Sequence, residues 1–262
     1  MKVLGIIPAR YGSTRFEGKP LVNIQGKSMI RRVYEQAKKA ESLAHVIVAT
    51  DDERIFDHVK SFGGDVMMTA QEHQSGTDRC AEVATMMNLD VISTNFERAK
   101  TYAFDSRRTL TFDAVVNIQG DEPFINPLQI DKVVDILRGG IFPLATLAKK
   151  IDNQEDIQNP NIVKVVFAAD GRALYFSRSP IPNLRNTPQY EWAGKGEIFK
   201  HIGIYGYRNQ TLQEIARLPQ SRLEKLESLE QLRWLENGYS IGVSITDLET
   251  IGIDTPEDLL KI

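Results

Sequence analysis

The sequence predicts an α/β fold: a mostly parallel sheet covered on both faces by helices, continued by an antiparallel β extension. Three observations carry that reading. Through the first half, short apolar runs alternate with helix-patterned stretches, as right-handed crossovers between parallel strands require. Near residue 143 the pattern changes to strands joined by a tight turn. Neither an internal repeat nor a linker interrupts the 262 residues, so a single domain is expected over 1–262, with 143–208 as the extension.

Val3–Ile7, His45–Thr50, Asp65–Thr69 and Ala114–Gln119 are the first strands, apolar enough to be buried on both faces. Met29–Lys39, Glu53–Phe62, Asp78–Met87 and Leu128–Leu137 are the helices around them. Thr50 with Glu53 and Ser221 with Glu224 have capping-box spacing, and Thr255-Pro256 with Asp258 opens a last helix over Pro256–Ile262. Ile162–Ala168 and Arg172–Arg178 flank Ala169-Asp170-Gly171 as a hairpin, and Phe199–Tyr207 is a further strand. Ser179–Gly196, rich in Pro, Asn and Gly, is a surface loop. Leu223, Leu226, Leu229, Leu232 and Leu235 give Ser221–Asn237 one buried helical face, and Tyr239–Ile245 follows as a strand.

Composition removes several function classes. Hydrophobic residues at 42% and charged residues at 26% exclude a disordered chain. Lys plus Arg number 32 against 35 Asp plus Glu, so there is no basic surplus to drive binding to nucleic acid or acidic membranes. The single cysteine, Cys80, excludes an internal disulfide and a thiolate zinc cluster, as expected in a reducing compartment. Val3–Ile7 is too short for a signal peptide or a membrane span. A cytoplasmic protein with no membrane insertion is the expectation.

The segment from Pro8 and Ala9 to Pro20 follows the first strand, at the carboxyl end where open α/β sheets bind ligands. It combines Gly12 and Gly18 with Arg10, Arg15 and Lys19, and backbone N–H groups with three cations suit a triphosphate. It is not a P-loop, since five residues separate the glycines and Pro20 stands where a hydroxyl residue would be. No G-x-G-x-x-G follows a strand, which disfavours a dehydrogenase.

This loop stands in order with His73-Gln-Ser-Gly-Thr-Asp-Arg79, Asn117-Ile-Gln-Gly-Asp-Glu-Pro123, Ala173-Leu-Tyr-Phe-Ser-Arg178, His201-Ile-Gly-Ile-Tyr-Gly-Tyr207, Leu229-Glu-Gln-Leu-Arg233 and Gly252-Ile-Asp-Thr-Pro-Glu-Asp258. The set resembles the 3-deoxy-manno-octulosonate (Kdo) cytidylyltransferase family from residue 3 to 258. The resemblance implies a Rossmann-like nucleotidyltransferase sheet and transfer of CMP from CTP to an eight-carbon acid sugar, releasing pyrophosphate, for lipopolysaccharide biosynthesis. It also implies a homodimer through the extension and Mg2+ as cofactor, a cation that takes carboxylate, water and phosphate oxygens. Asp121 would be the principal metal ligand and Asp254 the second, with Asp121, Arg10 and Lys19 carrying catalysis. Pro8, Ala9, Arg10, Gly12, Ser13, Arg15, Lys19, Ser75, Gly76, Thr77 and Arg79 would bind the nucleotide, Ser75 or Thr77 serving also as a helix cap. Gln119, Arg178, His201, Tyr205, Glu230 and Gln231 would bind the sugar, with Arg178 pairing its carboxylate. His73 is read as a loop or packing residue.

The chain departs from the family pattern at two places. Glu17 stands where the loop usually carries Pro, and Asn88 to Phe112 is longer by about twenty residues, a stretch that includes the aromatic and charged run 96–104. An 8-amino analogue of Kdo or another acid sugar is the alternative acceptor, and a catalytically silent nucleotide-sugar binding module is the alternative class.

Overall fold

The computed structural model describes residues 1–12, 16–88, 102–103, 111–249 and 252–261. Ser13 and Arg15 lie outside the described residues, as does the run 96–104 apart from a two-residue strand. In chain order, the first half holds β1 (Val3–Ala9), β2 (Asn23–Ile24), β3 (Lys27–Ser28), α1 (Met29–Ala37), β4 (His45–Thr50), α2 (Glu53–Ser61), β5 (Val66–Met68), α3 (Gly76–Asn88), β6 (Tyr102–Ala103), β7 (Ala114–Asn117) and α4 (Pro127–Arg138). The second half holds β8 (Leu144–Lys150), α5 (Gln154–Gln158), β9 (Lys164–Phe167), β10 (Ala173–Ser177), α6 (Trp192–Lys195), β11 (Phe199–Arg208), α7 (Asn209–Ile215), α8 (Arg222–Glu227), α9 (Gln231–Glu236) and β12 (Ile241–Ile245).

The predicted fold class is the one observed. β1 is central, parallel to β4 on one side and to β7 on the other, and β5 continues the parallel set beyond β4. Side chains of α1, α2 and α4 pack on one face, and those of α3, α7 and α9 on the other. That double cover explains why β1 has no polar alternation.

The antiparallel part begins at β11, whose Tyr205–Arg208 pairs with β7 while its start, at Phe199 and Lys200, pairs with β9. The sheet therefore forks along one strand. On its other edge β11 pairs with β8, and β8 pairs in parallel with β12. A single bridge between Arg172 and Gly242 joins the β9–β10 turn back to β12. Of the hairpin's apolar side chains, Val165 and Phe176 are buried and Phe167 is partly buried in the same core, whereas Leu174 is 51% exposed.

Several local expectations are corrected. The helix read over Ser221–Asn237 is two helices, broken where Ser228 takes the left-handed conformation (φ 52°, ψ 48°). The leucine stripe breaks there too, with Leu226 exposed and Leu232 buried. A buried bidentate pair spans the break, Arg233 Nε and Nη2 donating to the Glu224 carboxylate at 2.8 and 2.6 Å. The capping box Ser221–Glu224 is present. The one read at Thr50–Glu53 is not, because Asp52 accepts from Arg54 N and Thr50 Oγ1 instead accepts from Asp52 N. At the C-terminal end Pro256–Lys261 is a 3-10 helix, and Asp258, not Thr255, accepts the Asp254 and Thr255 N–H groups. β8, α5 and α7 are among the elements without an expected counterpart, and α6, with Trp192 buried, lies inside the stretch Ser179–Gly196 read as a surface loop. Among the described residues no helix is long and apolar enough to cross a membrane.

Candidate active site

The carboxyl ends of β1 and β7 open into a cavity of about 260 Å³. Pro8, Ala9 and Arg10 line it from the end of β1, Lys19 and Pro20 from the loop that follows, and Gln119, Gly120 and Asp121 from the end of β7. His73, Gln74, Ser75, Gly76 and Arg79 enter with α3, and Asp254 comes from the C-terminal segment. Sequence segments far apart thus meet at one sheet edge.

Local structure explains each placement. Gly18 has φ 67°, costly for other residues, and starts the short 3-10 helix Lys19–Leu21 whose first residue reaches the cavity. Its N–H donates to the Tyr11 carbonyl, and Tyr11 lies 3.3 Å under the Arg54 guanidinium, which closes and anchors the loop. Glu17 is exposed and outside the cavity lining, and so is Gly12. A Cβ on Gly120 would come within 2.8 Å of the Pro8 carbonyl oxygen, so β1 and β7 meet there as bare backbone. Ile253 N donates to Asp121 O, which brings Asp254 beside Asp121.

Lys19 Nζ lies 2.8 Å from Asp121 Oδ2 and 3.2 Å from Asp254 Oδ1. Two carboxylates therefore converge on one ammonium at the cavity wall, a donor set that also fits a hard divalent cation. Among the described residues no group of three or more His, Cys, Asp or Glu is arranged to hold a metal. The pair matches Mg2+, which commonly uses one or two carboxylates and completes its shell with water and phosphate. Next to Asp121, burial and the Asp121 charge push the Glu122 carboxyl up to about 8, so it is neutral at physiological pH.

At α3, Ser75 is the cap: its Oγ accepts from Asp78 N, and Asp78 Oδ2 accepts from Ser75 N. Thr77 is buried and turned away, donating to Glu230 Oε2 at 2.7 Å. Arg79 is buried, with Nη1 donating to Thr69 and Nη2 to Asp51. His73, read as peripheral, lies in the lining and pairs with Glu82 at 2.5 Å. Its signal was adjacency, since it opens the motif that supplies Ser75 and Gly76.

A second polar face adjoins the cavity. His201 and Tyr205 share one face of β11 with ring centroids 5.1 Å apart, and Tyr205 packs edge-on against Trp234 of α9. A Cβ on Gly203, between them, would lie 3.9 Å from Gln119 Cγ. Burial pushes the His201 imidazole down to about 3, holding the ring neutral, and burial raises the Glu230 carboxyl. Tyr205 Oη and Glu230 Oε1 are buried without a hydrogen-bond partner among the described residues, though Arg233 approaches Glu230 Oε1 at 3.7 Å. Buried polar atoms left this way are completed by ordered water, an ion or a polar ligand. Gln231 is buried at the start of α9.

Of the residues expected at the sugar only Gln119 lines the cavity; Arg178, like His201, Tyr205, Glu230 and Gln231, does not. Arg178 Nε, Nη1 and Nη2 donate to the carbonyls of Glu227, Pro160 and Ser228 at 2.7, 3.1 and 3.3 Å, tying the extension to the α8–α9 junction. The Arg178 carbonyl in turn accepts from the fully buried Lys164. The expected carboxylate fork is here a backbone clamp.

A family model described as cytidylyltransferase matches residues 4–245. The 3-deoxy-manno-octulosonate cytidylyltransferase of Parabacteroides distasonis is 50% identical over 265 residues, covering 100% of this chain and 96% of its own. That of Bacteroides thetaiotaomicron is 51% identical over 262 residues, covering 99% and 96%. The chain belongs to the 3-deoxy-manno-octulosonate cytidylyltransferase family. It is an enzyme with a nucleotidyltransferase fold. A solved structure of CMP:2-keto-3-deoxy-manno-octonic acid synthetase complexed with CTP is 41% identical, with TM-score 0.84 over 100% of this chain and 96% of that one. A 4-diphosphocytidyl-2C-methyl-D-erythritol synthase from Anaerococcus prevotii, 13% identical with TM-score 0.59, shares the fold. For a cytidylyltransferase, the cavity at the ends of β1 and β7 has the position where open α/β sheets bind nucleotides.

Proposed function

We propose that this enzyme transfers CMP from CTP to 3-deoxy-D-manno-octulosonate, releasing pyrophosphate and supplying an activated acid sugar for lipopolysaccharide assembly in the cytoplasm. The observation that carries the reading is the convergence of Asp121 and Asp254 on Lys19 at the cavity wall. The CTP-bound relative and the family's name support the substrates.

Arg10 and Lys19 hold the triphosphate, with Arg15 and Ser13 on the same loop. Pro8, Ala9, Ser75, Gly76 and Arg79 surround the nucleoside, Gly12 stays on the loop outside the cavity lining, and Thr77 acts one step back by orienting Glu230. Gln119, His201, Tyr205, Glu230 and Gln231 form the sugar face, and Arg178 holds the α8–α9 junction that presents Glu230. The sugar's anomeric oxygen attacks the α-phosphorus in line, so catalysis consists of positioning and charge neutralisation without a covalent protein intermediate. Asp121 and Asp254 would hold Mg2+, which supplies charge neutralisation at the phosphates when bound.

Pyrophosphate release with CTP, Mg2+ and a panel of acid sugars tests the reading. Kdo should be the best acceptor, and CTP should greatly exceed ATP and GTP, whose purines need a larger pocket. UTP, with donor and acceptor exchanged at one exocyclic group, is the demanding control. Equal use of CTP and ATP rejects the cytidylyl assignment, and release with 8-amino-Kdo alone replaces the acceptor.

A homodimer through the extension belongs to the same proposal. Val165, Phe167 and Phe176 of the hairpin pack into the chain's own core, which leaves Leu174 on β10 as the exposed apolar side chain that such an interface would cover. Sedimentation at micromolar concentration should give twice the chain mass, and a monomer rejects it.

A further inference from the structure

Thr146 lies in β8, fully buried, opposite the place where β11 leaves its register. Ile202 pairs with Leu147 and Tyr205 with Thr146, so Gly203 and Ile204 are extra residues in β11. The Thr146 hydroxyl faces this bulge. Its Oγ1 lies 3.1 Å from the Ile202 carbonyl oxygen, 2.8 Å from that of Ile204 and 2.9 Å from His201 Nε2.

A hydroxyl has one proton and two lone pairs. The two carbonyls can only accept, so the Thr146 proton belongs to them. The third contact is then made by His201 donating its Nε2 proton to Oγ1. Turning the hydroxyl proton toward His201 instead would set both carbonyl oxygens against Thr146 lone pairs at a fully buried side chain, an expensive arrangement. His201 therefore carries its proton on Nε2, and Nδ1 is a free lone pair with no hydrogen-bond partner among the described residues. The ring is held edge-on to Phe176, at 5.2 Å between centroids, and tilted against Tyr205.

We propose that Thr146 is a positioning residue whose hydroxyl locks His201 in the Nε2-protonated tautomer, so that Nδ1 accepts a hydrogen bond from a hydroxyl of the acid sugar. The proposal rests on reading the His201–Tyr205 face as the sugar face. An Nδ1-protonated ring could only donate there, so the tautomer fixes the direction of the hydrogen bond and which sugar hydroxyl orientation the site favours.

Long-range proton–nitrogen correlation spectra of the whole protein, labelled at histidine, read the tautomer directly, and His201→Gln assigns the signal. The wild type should show Nε2 protonated and Nδ1 bare. Thr146→Val should populate the other tautomer and raise the sugar KM about tenfold, with the CTP KM unchanged. Thr146→Ser, which keeps the hydroxyl, should restore both readouts. An Nδ1-protonated ring in the wild type overturns the proposal without requiring any variant to fold. A raised sugar KM in Thr146→Val with an unchanged tautomer overturns it too, because the hydroxyl then acts through the bulge alone. A changed tautomer with an unchanged sugar KM removes the acceptor role, and that outcome counts against the sugar face while leaving the lock in place.

Discussion

Asp121→Asn is expected to fold as the wild type does and to turn over at about one hundredth of its rate or less. Asp121 sits past the end of β7 with its side chain 32% exposed, so it fills no core volume. Its structural contribution is the backbone carbonyl that accepts from Ile253 N, which the substitution keeps. What asparagine loses is the negative charge that faces Lys19 and would bind the divalent cation. A hundredfold loss corresponds to about 2.7 kcal/mol of transition-state stabilisation, an ordinary magnitude for one lost electrostatic partner. Pyrophosphate release at saturating CTP, sugar and Mg2+ measures the effect, with urea unfolding to establish that the fold is intact. Near-normal turnover of a folded Asp121→Asn protein would remove Asp121 from the chemistry.

The sequence showed the parallel half of the sheet because β1, β4 and β7 are buried on both faces and say so in unbroken apolar runs. β8 was hidden for a physical reason. Leu144–Ala148 contains one β-branched residue, Thr146, and its strand character comes from pairing with β11 and β12 rather than from local preference. The break between α8 and α9 was hidden because leucines at helical spacing run straight through Ser228, and the buried pair of Glu224 with Arg233 is a tertiary arrangement. α7 opens on Asn209 without a side-chain cap and spans two turns, too little pattern to separate it from β11.

The candidate site was legible where function sits at strand ends. Arg10 and Lys19 could be named from a cationic, Gly-containing loop after the first strand, at the edge where open α/β sheets bind ligands, whereas Gln119, Asp121 and Asp254 were named by the family resemblance. Direction within a motif was not legible. Ser75-Gly76-Thr77 offers two hydroxyls, and the phase of α3 alone decides that Ser75 caps while Thr77 turns inward to Glu230. Arg178 looked like a free fork at the end of a strand. Its binding to three carbonyls depends on where the α8–α9 junction comes to rest, which no local pattern encodes.

Lys19→Met is expected to lower kcat/KM for CTP by about 10²- to 10³-fold, and added Mg2+ is expected not to restore it. Methionine keeps the aliphatic length of a side chain that is 15% exposed, so packing changes little. The charge arithmetic decides the direction. With Lys19 present, one ammonium faces two carboxylates, and a triphosphate brings still more negative charge to the same cavity. Removing the ammonium leaves Asp121 and Asp254 to meet that charge without the cation now 2.8 and 3.2 Å from them. Two roles for Lys19 give different results. If it only holds the carboxylates together until a divalent cation replaces it, saturating Mg2+ should rescue the variant and only the metal requirement should rise. If it goes on to bind the triphosphate, the loss persists at any Mg2+ concentration and shows chiefly in the CTP term. Lys19→Arg should also fail to restore the rate, because a planar fork cannot place its charge where a compact ammonium does. Kinetics over a matrix of CTP and Mg2+ concentrations distinguishes these roles, and full rescue by Mg2+ would confine Lys19 to holding the two carboxylates together.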